Sequence, residues 1–254
     1  MLDTYEKMGT QMKLQVITSF NQHYYDLIGK DCVDSWLRHW PDTLSLTCYV
    51  EEFSIPDLPR IRQIDFEELG QDYRDFQAAP DVKPRAKTFG KKGYCVIHAM
   101  QHSTADWVLW IDADVVTVNT FTQDYWSQLL QPKYLTMYMG VTYTHDKTGR
   151  AGPWLVPETG IFAINRRHPQ FCVFQSEYER RYRERDFGRL RRSYDNDVFG
   201  AAVEFTNDVE HLDICKSLAK PYKTPLSHTV LAEYLHHYKA KHSKEYYQDR
   251  TDDQ

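Results

Sequence analysis

One segment decides the fold: Asp106-Trp107-Val108-Leu109-Trp110-Ile111-Asp112-Ala113-Asp114. Its middle part, residues 107–111, is an unbroken apolar run of aromatic, β-branched and leucine side chains. Such a run predicts a strand that is buried on both faces, as in the centre of a parallel sheet. The run stops at an acidic segment, so we expect the strand to end where the carboxylates begin.

Upstream of this segment the sequence predicts a βαβ unit. The run from Leu14 to Phe20 is apolar and ends in small polar residues, and Leu44 to Val50 is a second strand candidate. Between them, Tyr24 to Trp40 carries apolar residues at helical spacing and is closed by Pro41. Strand, helix and strand of these lengths indicate an α/β fold with a mostly parallel central sheet flanked by helices.

The rest of the chain continues the alternation of strands and helices. We predict further helices at 89–103, 123–130, 171–185 and 195–206, and further strands at 134–141 and 160–165. Prolines and mixed charges between 51 and 84 predict a peripheral stretch with one short helix. No repeat or low-complexity linker divides the chain, so we expect a single domain over 12–244, a flexible leader at 1–11 and a polar tail at 245–254.

The composition excludes several classes of protein. The 254 residues are 41% hydrophobic and 26% charged, which is ordinary for a globular protein and argues against a disordered or fibrous chain. The sequence contains no apolar run long enough to span a membrane, and residues 1–11 lack the apolar core of a secretion signal. Five cysteines without a Cys-x-x-Cys pair argue against a zinc finger or a disulfide scaffold. We therefore expect a cytoplasmic protein.

Asp112 and Asp114 are the most informative residues. Strand side chains two positions apart point to the same side, so both carboxylates should converge at the carboxyl edge of the sheet, where open α/β folds bind ligands. Two acids so close repel each other unless a cation neutralises them, and oxygen ligands favour Mg²⁺ or Mn²⁺. The alternative interpretation is a helix N-cap followed by a surface acid.

Four segments, in this order, resemble the metal-dependent glycosyltransferases of the GT-A fold, which use nucleotide-diphosphate sugars. They are Trp110-Ile111-Asp112-Ala113-Asp114-Val115, Glu158-Thr159-Gly160-Ile161-Phe162-Ala163-Ile164-Asn165, Asp195-Asn196-Asp197-Val198-Phe199, and His237-Tyr238-Lys239-Ala240 with Lys244. The third is similar to the Asp-Gln-Asp segment of the retaining, glycogenin-like and galactosyltransferase-like members (family eight). The resemblance spans nearly the whole chain and implies a sugar transferase that binds Mn²⁺ or Mg²⁺.

The resemblance also implies roles for single residues on the donor side. Asp112, Asp114 and His237 would hold the metal, and Asp112 would also face the donor. Lys244 would meet the donor phosphate, and Thr18, Ser19 and Phe20 would hold the base and ribose, with a UDP-sugar as the expected donor. Lys92 resembles a basic residue that faces the donor, the alternative being a solvated helix lysine. For His237 the alternative is an ordinary surface histidine, and for the end of the first strand it is simple strand termination.

Other residues fall on the acceptor and sugar side. Glu158, Thr159 and Gly160 are similar to the loop that shapes the sugar and acceptor pocket, although Glu158 is equally compatible with a loop anchor. Asp195, Asn196 and Asp197 are the catalytic candidates. In an inverting enzyme one of these aspartates would deprotonate the acceptor, whereas in a retaining enzyme they would hold the sugar and shield a cationic transition state. The Asp-Asn-Asp pattern favours retention, and the competing interpretation is that a helix N-terminus attracts carboxylates through its dipole.

An arginine-rich segment precedes the catalytic candidates. Residues 180–192 hold seven arginines against two acids, in a chain whose net charge is −5. Such a local reversal of sign indicates a face that docks an anionic acceptor, through Arg189, Arg191 and Arg192 in particular. The alternative is a solvated helix face whose arginines pair with neighbouring acids.

We therefore expect a glycosyltransferase whose acceptor is either a surface glycan or a hydroxymethylated base in DNA, as in phage-type DNA modification. One alternative function is that of a sugar nucleotidyltransferase. We would expect such an enzyme to have a glycine- and arginine-rich loop after the first strand, where this chain has Thr18-Ser19-Phe20-Asn21. The other alternative is a non-catalytic nucleic-acid-binding module that uses the arginine-rich segment.

Overall fold

A computed structural model describes residues 12–145, 151–187, 195–215, 218–219 and 225–238. Its strands and helices alternate, with a π-helical turn at Tyr25–Gly29 and 3-10 turns at Phe66–Leu69 and Pro225–His228. In chain order they are β1 (Leu14–Asn21), α1 (Gln22–Tyr24), α2 (Lys30–His39), β2 (Leu46–Glu51), β3 (Ile61–Asp65), α3 (Gln71–Ala78), α4 (Pro84–His102), β4 (Trp107–Ile111), β5 (Val115–Thr117), α5 (Tyr125–Leu129), β6 (Thr136–His145), β7 (Ala151–Asn165), α6 (Phe171–Arg183), α7 (Asp195–Phe205), β8 (Leu212–Asp213), β9 (Leu218–Ala219) and β10 (Leu235–His237).

The main sheet has the strand order β3-β2-β1-β4-β7-β6-β8, with β9 paired to β6. The strands β3, β2, β1 and β4 run parallel to one another, whereas β7 runs antiparallel to both β4 and β6. The predicted α/β class with a mostly parallel sheet is therefore confirmed. The apolar run of β4 lies in the middle of the strand order, as its burial on both faces predicts.

Successive side chains of β4 enter two hydrophobic cores on opposite faces of the sheet. Trp107, Leu109 and Ile111 pack into the core that includes side chains of α2 and the C-terminal segment. Val108 and Trp110 pack into the core that includes side chains of α4, α6 and α7. Because strand side chains alternate between faces, this one strand joins both cores and fixes its own C-terminal end between them.

The helices cover both faces of the sheet. The helix α4 begins with a proline at its first turn and buries ten of its residues, including Lys92. Among the residues that the structure describes, no helix is both long enough and apolar enough to cross a bilayer.

Several parts of the chain differ from the prediction: the short strands β5, β8, β9 and β10 were not predicted, and β7 begins at Ala151 rather than at 160. The segment expected to form one helix over 24–40 is divided into α1, a π-helical turn and α2. The stretch 51–84 contains α3 but also the strand β3, which the sequence analysis missed. Only Ile64 of β3 is buried, because this strand lies at the edge of the sheet, so its hydrophobic pattern is weak.

We expect Leu109→Ala to lower the free energy of unfolding by about 2–5 kcal/mol, because it opens a cavity on the central strand where Leu109 is 0% exposed. Denaturant titration of the purified variant measures this loss. The matched control is Leu27→Ala, since Leu27 is 48% exposed and its truncation should change stability by no more than about 0.5 kcal/mol. Equal losses in the two variants would contradict the central position of β4.

Candidate functional site

The two predicted carboxylates lie in a tight turn directly after β4. Asp112 adds one more hydrogen bond to the pairing of β4 with β7, because its N–H donates to the carbonyl of Gly160 at 2.8 Å. The turn then closes with the N–H of Val115 donating to the carbonyl of Asp112 at 3.0 Å, and β5 follows. A strand rather than a helix follows the acids, so the N-cap interpretation is wrong. The turn, rather than strand alternation alone, brings the two carboxylates together.

The short strand β10 carries His237 to this turn. It pairs antiparallel with β5, so that His237 lies opposite Val115. The N–H of Tyr238 donates to the carbonyl of Asp114 at 2.9 Å, which ties the two segments at the site itself. His237 is 6% exposed, so the interpretation as an ordinary surface histidine is wrong.

Asp112, Asp114 and His237 have the chemistry of a divalent-metal site. Each offers one ligand atom, and these atoms lie within 4.8 Å of one another. Nε2 of His237 is 3.0 Å from Oδ1 of Asp114 and 3.9 Å from Oδ2 of Asp112. Carboxylate oxygens suit Mg²⁺ and Mn²⁺, and an imidazole nitrogen is a ligand that first-row transition metals accept, so the set suits a divalent metal ion. Among the described residues, this is the one group of three acidic, histidine or cysteine ligands so arranged.

A glycine makes room for the imidazole. A Cβ atom at Gly160 would lie 2.8 Å from Nδ1 of His237 and closer still to Cε1, well inside van der Waals contact. The backbone of β7 therefore forms the wall against which the imidazole rests. The pairing of Ile161 with Ile111 holds this part of β7 beside the end of β4.

Lys92 links the metal candidates to the catalytic candidates. Its ammonium is 2.8 Å from Oδ1 of Asp112 and 3.0 Å from Oδ2 of Asp195, and it also donates to the carbonyl of Thr159. Burial alone would lower the pKa of Lys92, but the two carboxylates raise it, so the side chain stays charged. A solvated helix lysine is thus the wrong interpretation. The three donors of the ammonium are all engaged within the protein.

Burial also acts on the partner of this lysine. It raises the pKa of Asp112, and the carboxylate of Asp114 adds to the effect, while Lys92 and His237 oppose it. A divalent ion would reverse this shift, because it stabilises the ionised carboxylates. The site is therefore one where positive charge is favoured.

The catalytic candidates begin α7 beside Lys92. Asp195 and Asp197 are buried, at 7% and 9% exposure, and Asn196 between them is half-buried. The hydroxyl of Thr159 donates to Oδ2 of Asp195 at 2.5 Å. The helix N-terminus does favour these carboxylates, as the competing interpretation holds, but Asp195 also belongs to the Lys92 network.

The other predicted donor and acceptor residues differ in exposure. Thr18 and Phe20 are buried, and the ring of Phe20 packs in the core with its centroid 5.7 Å from that of Tyr25. Ser19 and Glu158 are half-buried at the same edge of the sheet. Thr159, next to Glu158, is buried, and its side chain contacts the catalytic candidate Asp195.

The described part of the arginine-rich segment is paired with acids. Arg180 contacts Glu177, Glu184 and Asp186, and Arg181 contacts Glu177 and Asp186. Glu177 is buried, and its hydrogen bonds from Arg180 and Arg181 lower its pKa. These contacts match the interpretation of arginines that pair with neighbouring acids.

Several predicted residues lie outside the described ranges. They are Lys244 of the phosphate-binding prediction and the acceptor candidates Arg189, Arg191 and Arg192. The predicted leader at 1–11 and tail at 245–254 also lie outside them.

One contact at the site was missed by the sequence analysis. The indole Nε1 of Trp110 donates to Oδ1 of Asp112 at 2.7 Å. Residues two apart on a strand share a face, so a tryptophan two positions before the first aspartate was the available signal.

A separate cavity of about 280 Å³ lies at the opposite edge of the sheet. It lies between the first strands and the end of α4, where Arg62, His98 and His102 are among its lining residues. None of the predicted site residues lines it. The candidate site is therefore the carboxylate cluster rather than this cavity.

Comparison with known proteins supports the fold. No family model matches the sequence, and no curated protein matches it. Among solved structures, the bifunctional glycosyltransferase WbbM superposes with a TM-score of 0.53 at 14% identity, over 82% of this chain and 40% of WbbM. Mouse xyloside xylosyltransferase 1 superposes with a TM-score of 0.51 at 10% identity, over 80% of this chain and 85% of the mouse chain.

The chain has the GT-A fold of these glycosyltransferases. The predicted fold is thereby confirmed, whereas membership of the glycogenin-like family stays a prediction. The chain spans less than half of the length of WbbM, so the two proteins share one domain-sized unit.

We expect Gly160→Ala to destabilise the protein by about 1–3 kcal/mol, because the added methyl group must displace the imidazole of His237. Denaturant titrations of Gly160→Ala, His237→Ala and the double variant test whether the clash with the imidazole causes the loss of stability. Removal of the imidazole should relieve the clash, so the double variant should be more stable than the sum of the single effects by at least about 1 kcal/mol. Additive losses would show that the methyl group clashes with something else.

Proposed function

We propose that this protein is a glycosyltransferase that transfers a sugar from a nucleotide-diphosphate sugar to a hydroxyl acceptor with the help of a divalent metal ion. One observation carries the proposal: Asp112, Asp114 and His237 converge at the carboxyl edge of a GT-A fold, where open α/β sheets bind their ligands.

The donor half of the site is assigned to the three converging residues. Asp112, Asp114 and His237 would hold Mn²⁺ or Mg²⁺, which when bound stabilises the negative charge of a departing nucleoside diphosphate. The half-buried setting of the carboxylates strengthens such an interaction, because screening by water is reduced. A UDP-sugar is the proposed donor, with Ser19 and Lys244 as contacts, in keeping with the family resemblance.

The sugar-binding half is assigned to the start of α7. Asp195 is held in one position by Lys92 and Thr159, and a fixed carboxylate is suited to stabilising positive charge that develops on the sugar. We propose that Asp195 and Asp197 flank the transferred sugar, that Asn196 supplies a polar contact, and that the anomeric configuration is retained.

For the acceptor we propose a glycan hydroxyl rather than a hydroxymethylated base in DNA. Within the described part of the arginine-rich segment, Arg180, Arg181 and Arg185 are each paired with acids, and the net charge of the chain is −5, whereas a DNA backbone requires unpaired positive charge. The same pairing disfavours a non-catalytic nucleic-acid-binding module. Against a sugar nucleotidyltransferase stands the segment after β1, where α1 follows directly and residues 22–29 contain no arginine and a single glycine.

We expect Asp114→Asn to reduce metal-dependent hydrolysis of the donor by about 100-fold or more. The substitution keeps the shape of the side chain but removes the negative charge of a proposed metal ligand. Release of nucleoside diphosphate from a panel of nucleotide-sugars, with Mn²⁺, Mg²⁺ or EDTA, measures this. Asp57→Asn, at an exposed position in another loop, is the control and should match the unaltered protein. No metal-dependent release from any donor, or full activity in Asp114→Asn, would contradict the proposal.

We expect sugar transfer to neutral and anionic glycans but not to duplex DNA that contains hydroxymethylated pyrimidine. Transfer of radiolabelled sugar to both classes of acceptor, over a range of salt concentrations, tests this expectation. A different result would favour a DNA acceptor that binds to the arginine-rich segment: transfer to the modified DNA, with activity that falls steeply as the salt concentration rises.

A further inference from the structure

The two oxygens of the Asp112 carboxylate have different surroundings. Oδ1 accepts one hydrogen bond from the indole of Trp110 at 2.7 Å and another from the ammonium of Lys92 at 2.8 Å. Oδ2 is the oxygen on the side of His237, 3.9 Å from its Nε2. One oxygen is thus held by the protein, and the other faces the proposed metal ligands.

The indole that holds Oδ1 is itself fixed in place. Trp110 is 2% exposed, and its ring stacks on Phe162 with an interplanar angle of 18° and 6.5 Å between centroids. The ammonium of Lys92 lies 5.0 Å from the centre of the same ring. A buried indole needs a partner for its N–H, and here that partner is a carboxylate two residues away on the same face of the strand.

Lys92 cannot orient this carboxylate alone. Its ammonium is shared between Asp112, Asp195 and the carbonyl of Thr159, so its position is a compromise among three acceptors. The indole N–H, by contrast, serves Asp112 and has a single direction set by the packed ring. Two donors of different direction on one oxygen fix the rotation of the carboxylate about its Cβ–Cγ bond.

We propose that Trp110 is a positioning residue of the metal site: its indole N–H holds Oδ1 of Asp112 so that Oδ2 is turned towards the ion. This inference rests on the proposed metal-dependent function and adds a residue that touches neither the ion nor the donor. Side chains that form a hydrogen bond with a metal-ligating group set the orientation of that group, and their loss typically weakens metal binding by about 10–100-fold.

The test compares two tryptophans of the same strand. Trp110→Phe keeps an aromatic ring and removes the N–H, and we expect it to weaken Mn²⁺ binding by about 10–100-fold in the absence of donor, as measured by calorimetry or by the electron paramagnetic resonance of free Mn²⁺. Trp107→Phe is the matched control, because Trp107 is equally buried on β4 but packs in the opposite core. We expect it to leave Mn²⁺ affinity unchanged, whatever it does to thermal stability.

A second measurement uses the unaltered protein and does not depend on the folding of the variant. In protein labelled with ¹⁵N-tryptophan, the indole N–H of Trp110 should exchange slowly with water and should shift on titration with Mg²⁺, while that of Trp107 should not shift.

The outcomes separate this inference from the function on which it rests. If the unaltered protein binds no divalent ion, the metal site fails and the role of Trp110 fails with it. If it binds Mn²⁺ and Trp110→Phe binds equally well, or if both tryptophan variants lose affinity alike, the metal site stands and the positioning role is overturned. An indole N–H of Trp110 that does not respond to Mg²⁺ bound by the protein would also overturn it.

Discussion

The buried ammonium of Lys92 is the interaction on which the site depends. It joins the helix α4, the turn after β4, the strand β7 and the start of α7 through three acceptors. A charged amine is costly to bury unless it is paired, and here its cost is offset by two carboxylates that would otherwise repel each other. The same contact therefore holds four elements together and makes the clustering of acids at the edge of the sheet tolerable.

The acids at this edge divide into two groups around the lysine. On one side, Asp112 and Asp114 lie beside His237, and a divalent ion bound there would neutralise the two carboxylates. On the other side, Asp195 is held by Lys92 and Thr159 at the start of a helix. A departing anionic group is stabilised by positive charge, whereas a sugar that gains positive charge is stabilised by negative charge. In the proposed reaction the metal side of Lys92 would serve the departing group, and the Asp195 side would serve the sugar.

The parts of the molecule that local patterns determine could be predicted from the sequence. The apolar run of β4 predicted a central strand, and the acids directly after it predicted the edge at which the candidate site lies. The edge strand β3 was missed because only Ile64 is buried there, which leaves little periodicity to detect. The contact between Gly160 and His237 depends on a distance across the fold, which spacing along the chain does not encode. The hydrogen bond from Trp110 joins residues two apart, so its spacing was present in the sequence, but spacing alone does not tell a hydrogen bond from core packing. His237 was found through family resemblance, since the pairing of β10 with β5 has no signal in a three-residue strand.

The antiparallel pairing of β10 with β5 has a consequence for how the protein matures. Asp112 and Asp114 leave the ribosome long before His237, because the strand that carries the histidine comes late in the chain. A nascent chain that ends before residue 235 contains Lys92 and the two carboxylates but lacks the imidazole and the strand that pairs with β5. Since domains fold as units during and after synthesis, the proposed metal would be acquired only after residues 235–237 have left the ribosome. Truncation before residue 225 would also remove Leu226, Leu231 and Leu235 from the core that packs on β4, so such a chain would lose the third ligand and part of its core together.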